Sequence, residues 1–414
     1  MSGPLHVVTL DHAKKILEKH WQPPSRVEEL PLSGAGGRIL AVGVRSTIDL
    51  PPFDRATVDG YAVHATDTYR TNEGAPVELE LVGSVRAGEV FRPKLGVHQC
   101  VEIATGAPMP KGADAVVMVE HSVVKMGVVD IHRAVAPGEN VAKRGSELKR
   151  GTKILRAGLQ LTPPTIGALA AVGLTRVKVY KPPKVAVISS GAEIAKPGAK
   201  LGAGQVYDVN GPTICDAVKA CGGTPLYLGI APDEASGIKA LVRRGLASCD
   251  IVVVSGGSSA GAGDIAPAAV NSLGKPGVLA HGLALKPGKP TFIAVVRGKP
   301  VFGLPGYPVS ALMVFDQLVA PYIRRVAGLP PLERKTTRTK LAQKLLSARG
   351  RQELVPVKLE HRQGELWAVP ILKGSGAITA LSMADGYISV PLELEIVDKG
   401  ETVEVVLFGG GLVV

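Results

Sequence analysis

The chain has 414 residues, more than one hydrophobic core usually holds, so two to four domains with separate cores are expected. Hydrophobic residues make up 45% of it and aromatics only 4%, and 50 Gly and 32 Pro break the apolar stretches well short of the roughly 20 residues of a membrane span. A formal charge of +12 favours an anionic partner, but the Lys and Arg residues are dispersed and not interleaved with stacking aromatics, which argues against nucleic acid and leaves phosphorylated metabolites or oxyanions.

The opening residues carry charges every few positions and show no apolar leader segment, so a cytoplasmic protein is expected. Residues 11–20 read as a short amphipathic helix, stopped by Pro23-Pro24. Between 51 and 139 the pattern changes to short β-prone runs separated by turn signals (VELELVGSV, QCVEIATGAP, ADAVVMVEHSVV, GVVDIHRAV), the mark of a small inserted β domain. Residues 1–50 and 140–180 are grouped as an elongated N-terminal and linker domain, with a helix over 162–173. Lys181-Pro182-Pro183 marks the next boundary.

In the segment 181–330, KVAVISS and DIVVVSGG are continuous apolar runs that enter Gly/Ser loops and are separated by two helical stretches. That pattern belongs to a mostly parallel sheet buried on both faces, a central three-layer α/β domain. NGPTICDAVKACGG reads as a helix preceded by Asn210 or Gly211. PVFGLPG is a further strand, running into a long helix expected to kink at Pro321. Residues 331–414 alternate again and form a C-terminal β domain. The fold class is therefore multidomain, α/β plus β. Cys100, Cys215, Cys221 and Cys249 lack metal spacing. Cys215 and Cys221 lie about 240° apart on one helix, so buried free thiols are expected.

Ligands of open α/β sheets bind outside the carboxyl ends of the strands, so the loops there come first. SGGSSAGAGD (255–264) offers N–H groups suited to a phosphate or oxyanion and delivers Asp264. A tight strand-to-helix turn is the competing reading. Glu193 follows the first strand, and with Asp233 and Asp264 it forms a hard-oxygen set suited to Mg²⁺. In HGLALKPGKPT, Lys286 and Lys289 flank a Pro-Gly turn that could aim both ammonium groups at a dianion; a solvated basic turn is the alternative. FGLPGYPVSAL puts Ser310 in the first turn of a helix, another anion-friendly place. PPFDRATVDGYAV concentrates Asp54, Arg55 and Asp59 beside prolines and aromatics. No Walker loop, dinucleotide fingerprint, nucleophile elbow or Ser-His-Asp order is present. The residues by themselves lead to an anion and Mg²⁺ site.

PPFDRATVDGYAV, IATGAPMPKGADAVVMVE, GENVAKRGSELKRGT, VAVISSGAEIAKPGAKLGAGQVYDVNG, SGGSSAGAGD, LKPGKPTF, FGLPGYPVSAL and GSGAITALSMADGYISVP, in this order, resemble the molybdopterin molybdenumtransferases (the MoeA and gephyrin E-domain family) over nearly the whole chain. Tyr307 and His281-Gly282 look like archaeal members, for which tungstate is an alternative to molybdate. The resemblance implies a molybdopterin-binding fold in the α/β domain and a homodimer of elongated subunits with the active cleft across their interface. It implies Mg²⁺-dependent insertion of molybdate or tungstate into adenylylated molybdopterin, with release of AMP. It carries acidic roles onto Asp59 (from the partner subunit), Glu193, Asp233 and Asp264, with Glu193 and Asp264 toward Mg²⁺. Catalytic anion-holding roles fall on Lys286 and Lys289. Substrate-binding roles fall on Thr105, Ser255, Gly256, Gly257, Ser258, Pro305, Gly306, Ser310, Arg351 and Ser375. A molybdopterin adenylyltransferase is a further partner it allows.

Three departures stand out: Glu147 where relatives have aspartate after a double arginine, Gly282 where bacterial members carry a further lysine, and Ser258 and Ala260 in the glycine loop. Two alternatives remain, an adenylyltransferase acting on molybdopterin and a non-catalytic pterin-binding scaffold. The first family usually lacks the flanking β domains, and the second reading predicts pterin binding without AMP release.

Overall fold

A computed structural model describes residues 7–71, 74–232, 234–257, 265–362, 364–374 and 376–408. The chain divides into two compact units, Glu29–Lys178 and the combination of Met1–Glu28 with Val179–Val414. Among the described residues no helix is long and apolar enough to cross a membrane.

The larger unit opens with helix α1 (Leu10–His20). Its sheet contains β1 (Lys184–Ser190), β2 (Thr224–Ala231), β3 (Ile251–Ser255), β4 (Pro276–His281), β6 (Phe292–Val296) and β7 (Lys299–Leu304), with a short strand β5 (Leu285–Lys286) outside it. The order is β2-β1-β3-β7-β6-β4; β2, β1, β3 and β7 are parallel, and β6 and β4 add an antiparallel edge. Alternate residues of one strand feed two different cores. Val185, Val187, Ile251 and Val253 face one, and Ala186, Ile188, Val252 and Val254 the other. This is why the runs read as continuously apolar: neither face is left for water. The first core takes α1, α2 (Asn210–Ala220), α5 (Pro308–Val314) and α6 (Ala320–Val326); the second takes α3 (Ala235–Ser248) and α4 (Ile265–Asn271). Three layers result, as the sequence pattern implies.

Ile188 is fully buried in the second core. Shortening it to valine removes one methylene that packing cannot replace. Ile188→Val should therefore lower unfolding free energy by about 1 kcal/mol, read as a lower denaturant midpoint at unchanged slope.

The structure departs from the sequence reading in several places. Helix α1, grouped in sequence with the linker residues, packs instead on the α/β core through Leu10, Ala13, Leu17 and Trp21. Strands β2, β4 and β6 went unread. Strand β2 carries Pro225 and Gly229 and shifts register against β1 after Val187, features of a bulged strand at an open edge. Helix α2 begins at Asn210, so Asn210 and Gly211 are its first residues and do not precede it; the Asp208 carboxylate accepts the Gly211 N–H at 3.0 Å and closes that end. Pro321 sits at the start of α6 without a simple kink. A π-turn, Phe315–Val319, precedes it and absorbs the hydrogen bond that proline cannot donate.

The C-terminal strands are β8 (Thr336–Leu341), β9 (Gln352–Arg362), β10 (Glu365–Pro370), β11 (Gly386–Val390) and β12 (Thr402–Leu407). They pair in the order β9-β10-β8-β12-β11, and β11 pairs back onto β9, so the sheet closes into a small barrel around Leu341, Val355, Val357, Ile388 and Val405. Strand β5 lies parallel to the start of β9, pairing Leu285 with Gln352 and Lys286 with Glu353.

In the other unit a six-stranded mixed sheet, built from Ala115–Met118, Gly60–Val63, Gln99–Ile103, Val77–Val85, Val128–Ile131 and Ser122–Lys125 in that order, carries a core on each face. Gly60 is required there. A Cβ on it would stand 1.9 Å from the Val117 carbonyl oxygen of the neighbouring strand.

Candidate functional site

Strand β2 lies on one side of β1 and β3 on the other, so the chain reverses its direction across the sheet at β1. The crevice beyond Ser190 and Ser255 is then the place where the departing loops diverge and leave room for a ligand. A cavity of about 1400 Å³ opens there, above the 300–1,000 Å³ of a usual small-molecule pocket and large enough for a nucleotide-sized substrate.

Its floor is made by the turns after β1, β3 and β7. Gly256 has φ +95°, and a Cβ there would lie 2.0 Å from the Ser190 carbonyl oxygen, so the second turn can press on the first only through glycine. The amide of Asn210 ties the turns together. Its Nδ2 donates to Ser255 Oγ and to the Gly306 carbonyl, both at 2.7 Å, while Ser255 Oγ donates to the Pro305 carbonyl at 3.1 Å. Two residues before Asn210, Asp208 is 3% exposed and accepts from Ser189 Oγ (2.8 Å), Tyr227 Oη (2.5 Å) and the Gly211 N–H. Three donors make its burial tolerable. Burial, then the bond to Asp208, pushes the Tyr227 phenol up from its ordinary value.

The opposite wall is basic and comes from β5 and the mouth of the barrel. Lys286, Lys289 and Arg351 all line the cavity, Lys289 and Arg351 half-buried. Lys286 Nζ pairs with Glu353 Oε1 at 2.8 Å. Ser310 lines the cavity from the first turn of α5 and is 4% exposed. Glu193 stands exposed at the rim, its carboxylate folded over Gly191 so that a Cβ there would meet its oxygens at 2.8 and 2.9 Å.

Ten residues singled out in the sequence thus line one cavity: Glu193, Ser255, Gly256, Gly257, Lys286, Lys289, Pro305, Gly306, Ser310 and Arg351. Asp233, Ser258, Asp264 and Ser375 lie outside the described residues. Among the described residues no group of three or more His, Cys, Asp or Glu is disposed to hold a metal ion. Asp59 and Thr105 belong to the other unit, where both are exposed and the Asp59 carboxylate accepts the Thr105 N–H at 2.7 Å. The four cysteines are free; Cys100, Cys221 and Cys249 are buried and Cys215 half-buried, and burial raises every one of these thiols, Cys100 to about 12. Sequence reasoning missed Asp208, the tie made by Asn210, and Glu353. The first two stand in the VYDVNG motif, and the third is two residues beyond Arg351, near the start of β9.

In the Glu29–Lys178 unit, Asp54 accepts the Arg144 N–H at 2.7 Å and Lys143 Nζ at 3.0 Å. The first of these bonds, more than the second, holds its carboxyl below the ordinary 3.8. A depressed carboxyl contributes stability that is present above pH 3.8 and lost as pH falls through the folded value. Asp54→Asn should therefore flatten the acid limb of this unit's stability below about pH 4 and leave the slope near neutral pH unchanged, as followed by denaturant melts across pH.

Residues 8–173 match the MoeA N-terminal region (domain I and II), residues 186–325 a probable molybdopterin binding domain, and residues 338–408 the MoeA C-terminal region (domain IV). The molybdopterin molybdenumtransferase 2 of Mycobacterium tuberculosis is 33% identical over 382 residues, 91% of this chain and 94% of that protein. The molybdopterin molybdenumtransferase of Bacillus subtilis is 31% identical over 94% of this chain and 91% of its own length. The crystal structure of a molybdopterin biosynthesis MoeA protein from Pyrococcus horikoshii superimposes with a TM-score of 0.85 at 43% identity, covering 97% of this chain and 99% of that one. Its α/β domain, closed barrel and mixed-sheet unit, together with relatives that match end to end, place the chain in the molybdopterin molybdenumtransferase (MoeA) family, transferases of molybdenum cofactor biosynthesis.

Proposed function

We propose that this protein inserts molybdate or tungstate into adenylylated molybdopterin, with Mg²⁺ present and AMP released. One observation carries the reading: a single cavity joins glycine turns at the carboxyl ends of parallel strands to a wall holding Lys286, Lys289 and Arg351. The turns offer N–H groups to the phosphates of the pterin nucleotide. The lysines and Arg351, helped by Ser310, hold the oxyanion as a dense patch of positive charge.

Among the described residues that line the cavity there is no Cys or His, and Glu193 at the rim offers hard carboxylate oxygen of the kind Mg²⁺ takes; in this reading Asp264 is its second carboxylate and Asp233 a third acidic group. When bound, the ion would neutralise charge on the phosphoanhydride. We further propose that the protein works in the cytoplasm as a homodimer in which Asp59 and Thr105 complete the partner's site. The division into 1–50 with 140–180, 51–139, 181–330 and 331–414 belongs to the same reading, with helix α1 of the first segment lent to the α/β core. A molybdopterin adenylyltransferase is the natural supplier of its substrate.

The test mixes the protein with adenylylated molybdopterin, Mg²⁺ and either oxyanion and follows AMP. Oxyanion-dependent AMP release supports the reading. Formation of adenylylated product from ATP and unmodified molybdopterin would replace it with adenylyl transfer, and tight pterin binding with no AMP release would leave a scaffold.

A further inference from the structure

Glu353 is an acidic group in a wall otherwise suited to anions, and nothing in the proposed reaction uses it. A carboxylate there opposes a bound anion unless its charge is taken up by a neighbouring ammonium. A carboxylate at this place needs a reason.

The geometry supplies one. Strands β5 and β9 run parallel in a register that sets Lys286 directly beside Glu353, and the Gln352 N–H donates to the Ala284 carbonyl at 2.9 Å to lock that register. Lys286 Nζ lies 2.8 Å from Glu353 Oε1; the lysine side chain is 46% exposed and the glutamate side chain only 14%. The other carboxylate oxygen, Oε2, is buried with no hydrogen-bond partner among the described residues. The pair is therefore one-sided: the carboxylate is fixed in the wall with the ammonium as its described side-chain partner, while the ammonium keeps a solvent-facing side. Arg351, two residues earlier and just before β9 begins, also lines the cavity. A lysine on four rotatable bonds loses considerable rotamer entropy when it is fixed, and a buried counter-ion meets that loss before the ligand arrives.

We propose that Glu353 is the positioning residue of the oxyanion subsite: it holds the Lys286 ammonium on the cavity wall and trims the local charge of Lys286, Lys289 and Arg351 from three positive to two, matching a tetrahedral dianion. The proposal rests on the insertion reading above. Glu353 acts through Lys286 and touches neither pterin nor phosphate.

A double-mutant cycle on the full-length protein separates this from a structural role. Molybdate alone, titrated calorimetrically, is the binding probe; AMP release gives the KM for molybdate and for the pterin nucleotide separately. Glu353→Gln is expected to weaken molybdate binding and raise its KM roughly tenfold, the scale of a charge-assisted contact. The pterin-nucleotide KM should stay within about twofold, and Glu353→Asp should recover part of the loss. In a Lys286→Ala background the sign reverses, because Glu353 is then an unpaired negative charge facing the anion, and Glu353→Gln strengthens molybdate binding.

Equal losses of molybdate and nucleotide affinity with a lowered melting temperature would overturn the proposal in favour of a packing role. Additive losses in the two backgrounds would overturn it as well. If the wild-type protein binds molybdate but releases no AMP, the insertion reading fails while the calorimetric cycle still decides the role of Glu353.

Discussion

Gly256→Ala is expected to abolish oxyanion-dependent AMP release, lowering it by two orders of magnitude or more, and to destabilise the α/β domain by about 2–5 kcal/mol. Two causes combine. At φ +95° an alanine is strained wherever it sits, and the Cβ would lie 2.0 Å from the Ser190 carbonyl oxygen, a backbone atom held where Ser190 pairs with Ala231 of β2 and the preceding Ser189 with Ser255 of β3. The turn must move, and with it the N–H groups proposed to hold phosphate. A displacement near 1 Å at such a site costs roughly a hundredfold in rate. Gly306→Ala is the control. That glycine has no positive φ, and its Cβ would make only an ordinary 3.7 Å contact with the Gly256 Cα, so a loss below about tenfold is expected. A Gly256→Ala enzyme with wild-type turnover would mean that the turn plays no part in the chemistry.

Removing both lysines should be just as severe, in a different parameter. If, as proposed, each makes a charge-assisted contact to the oxyanion, worth about 1.5–3 kcal/mol, Lys286→Ala and Lys289→Ala should each raise the molybdate KM about 10- to 100-fold and the pair by roughly a thousandfold. Lys289→Ala should leave folding little changed, whereas Lys286→Ala strands the Glu353 carboxylate, 14% exposed, and should lower the melting temperature as well. Lys→Arg is not a neutral exchange there, because a planar fork replaces a compact charge. Retention of the wild-type molybdate dependence by the double alanine protein would show that the oxyanion sits elsewhere.

The parts of the fold that were legible in the sequence are those where one physical signal dominates. Strands β1 and β3 are buried on both faces, so their side chains leave no polar alternation and announce a parallel sheet. Strand β2 stands at an edge, where Pro225 and Gly229 are tolerated, and its composition hides it. The glycine turns, Lys286, Lys289 and Ser310 were marked in the sequence as residue types suited to an anion beyond strand ends, and the structure brings them to one cavity. Glu353 was not. An acidic residue argues against an anion site until the pairing of β5 with β9 shows that it faces a lysine, and that pairing joins residues far apart in sequence. The role of Asn210 was hidden for a related reason: its partners, Ser255 and Gly306, come from two other turns. The capping preference that suggests it should precede the helix is met by Asp208.

The place of helix α1 bears on how the molecule is made. Trp21 meets Tyr322 edge-on with ring centroids 5.8 Å apart, and Val8 bridges to Leu283, although the entire Glu29–Lys178 unit is synthesised between these partners. On the ribosome the first helix emerges with its apolar stripe uncovered and waits for some three hundred residues of translation before its seat exists. The nascent α/β core cannot finish until helix α1 is brought back to it, which leaves the apolar surface of Leu10, Leu17 and Trp21 without its seat while the chain is growing.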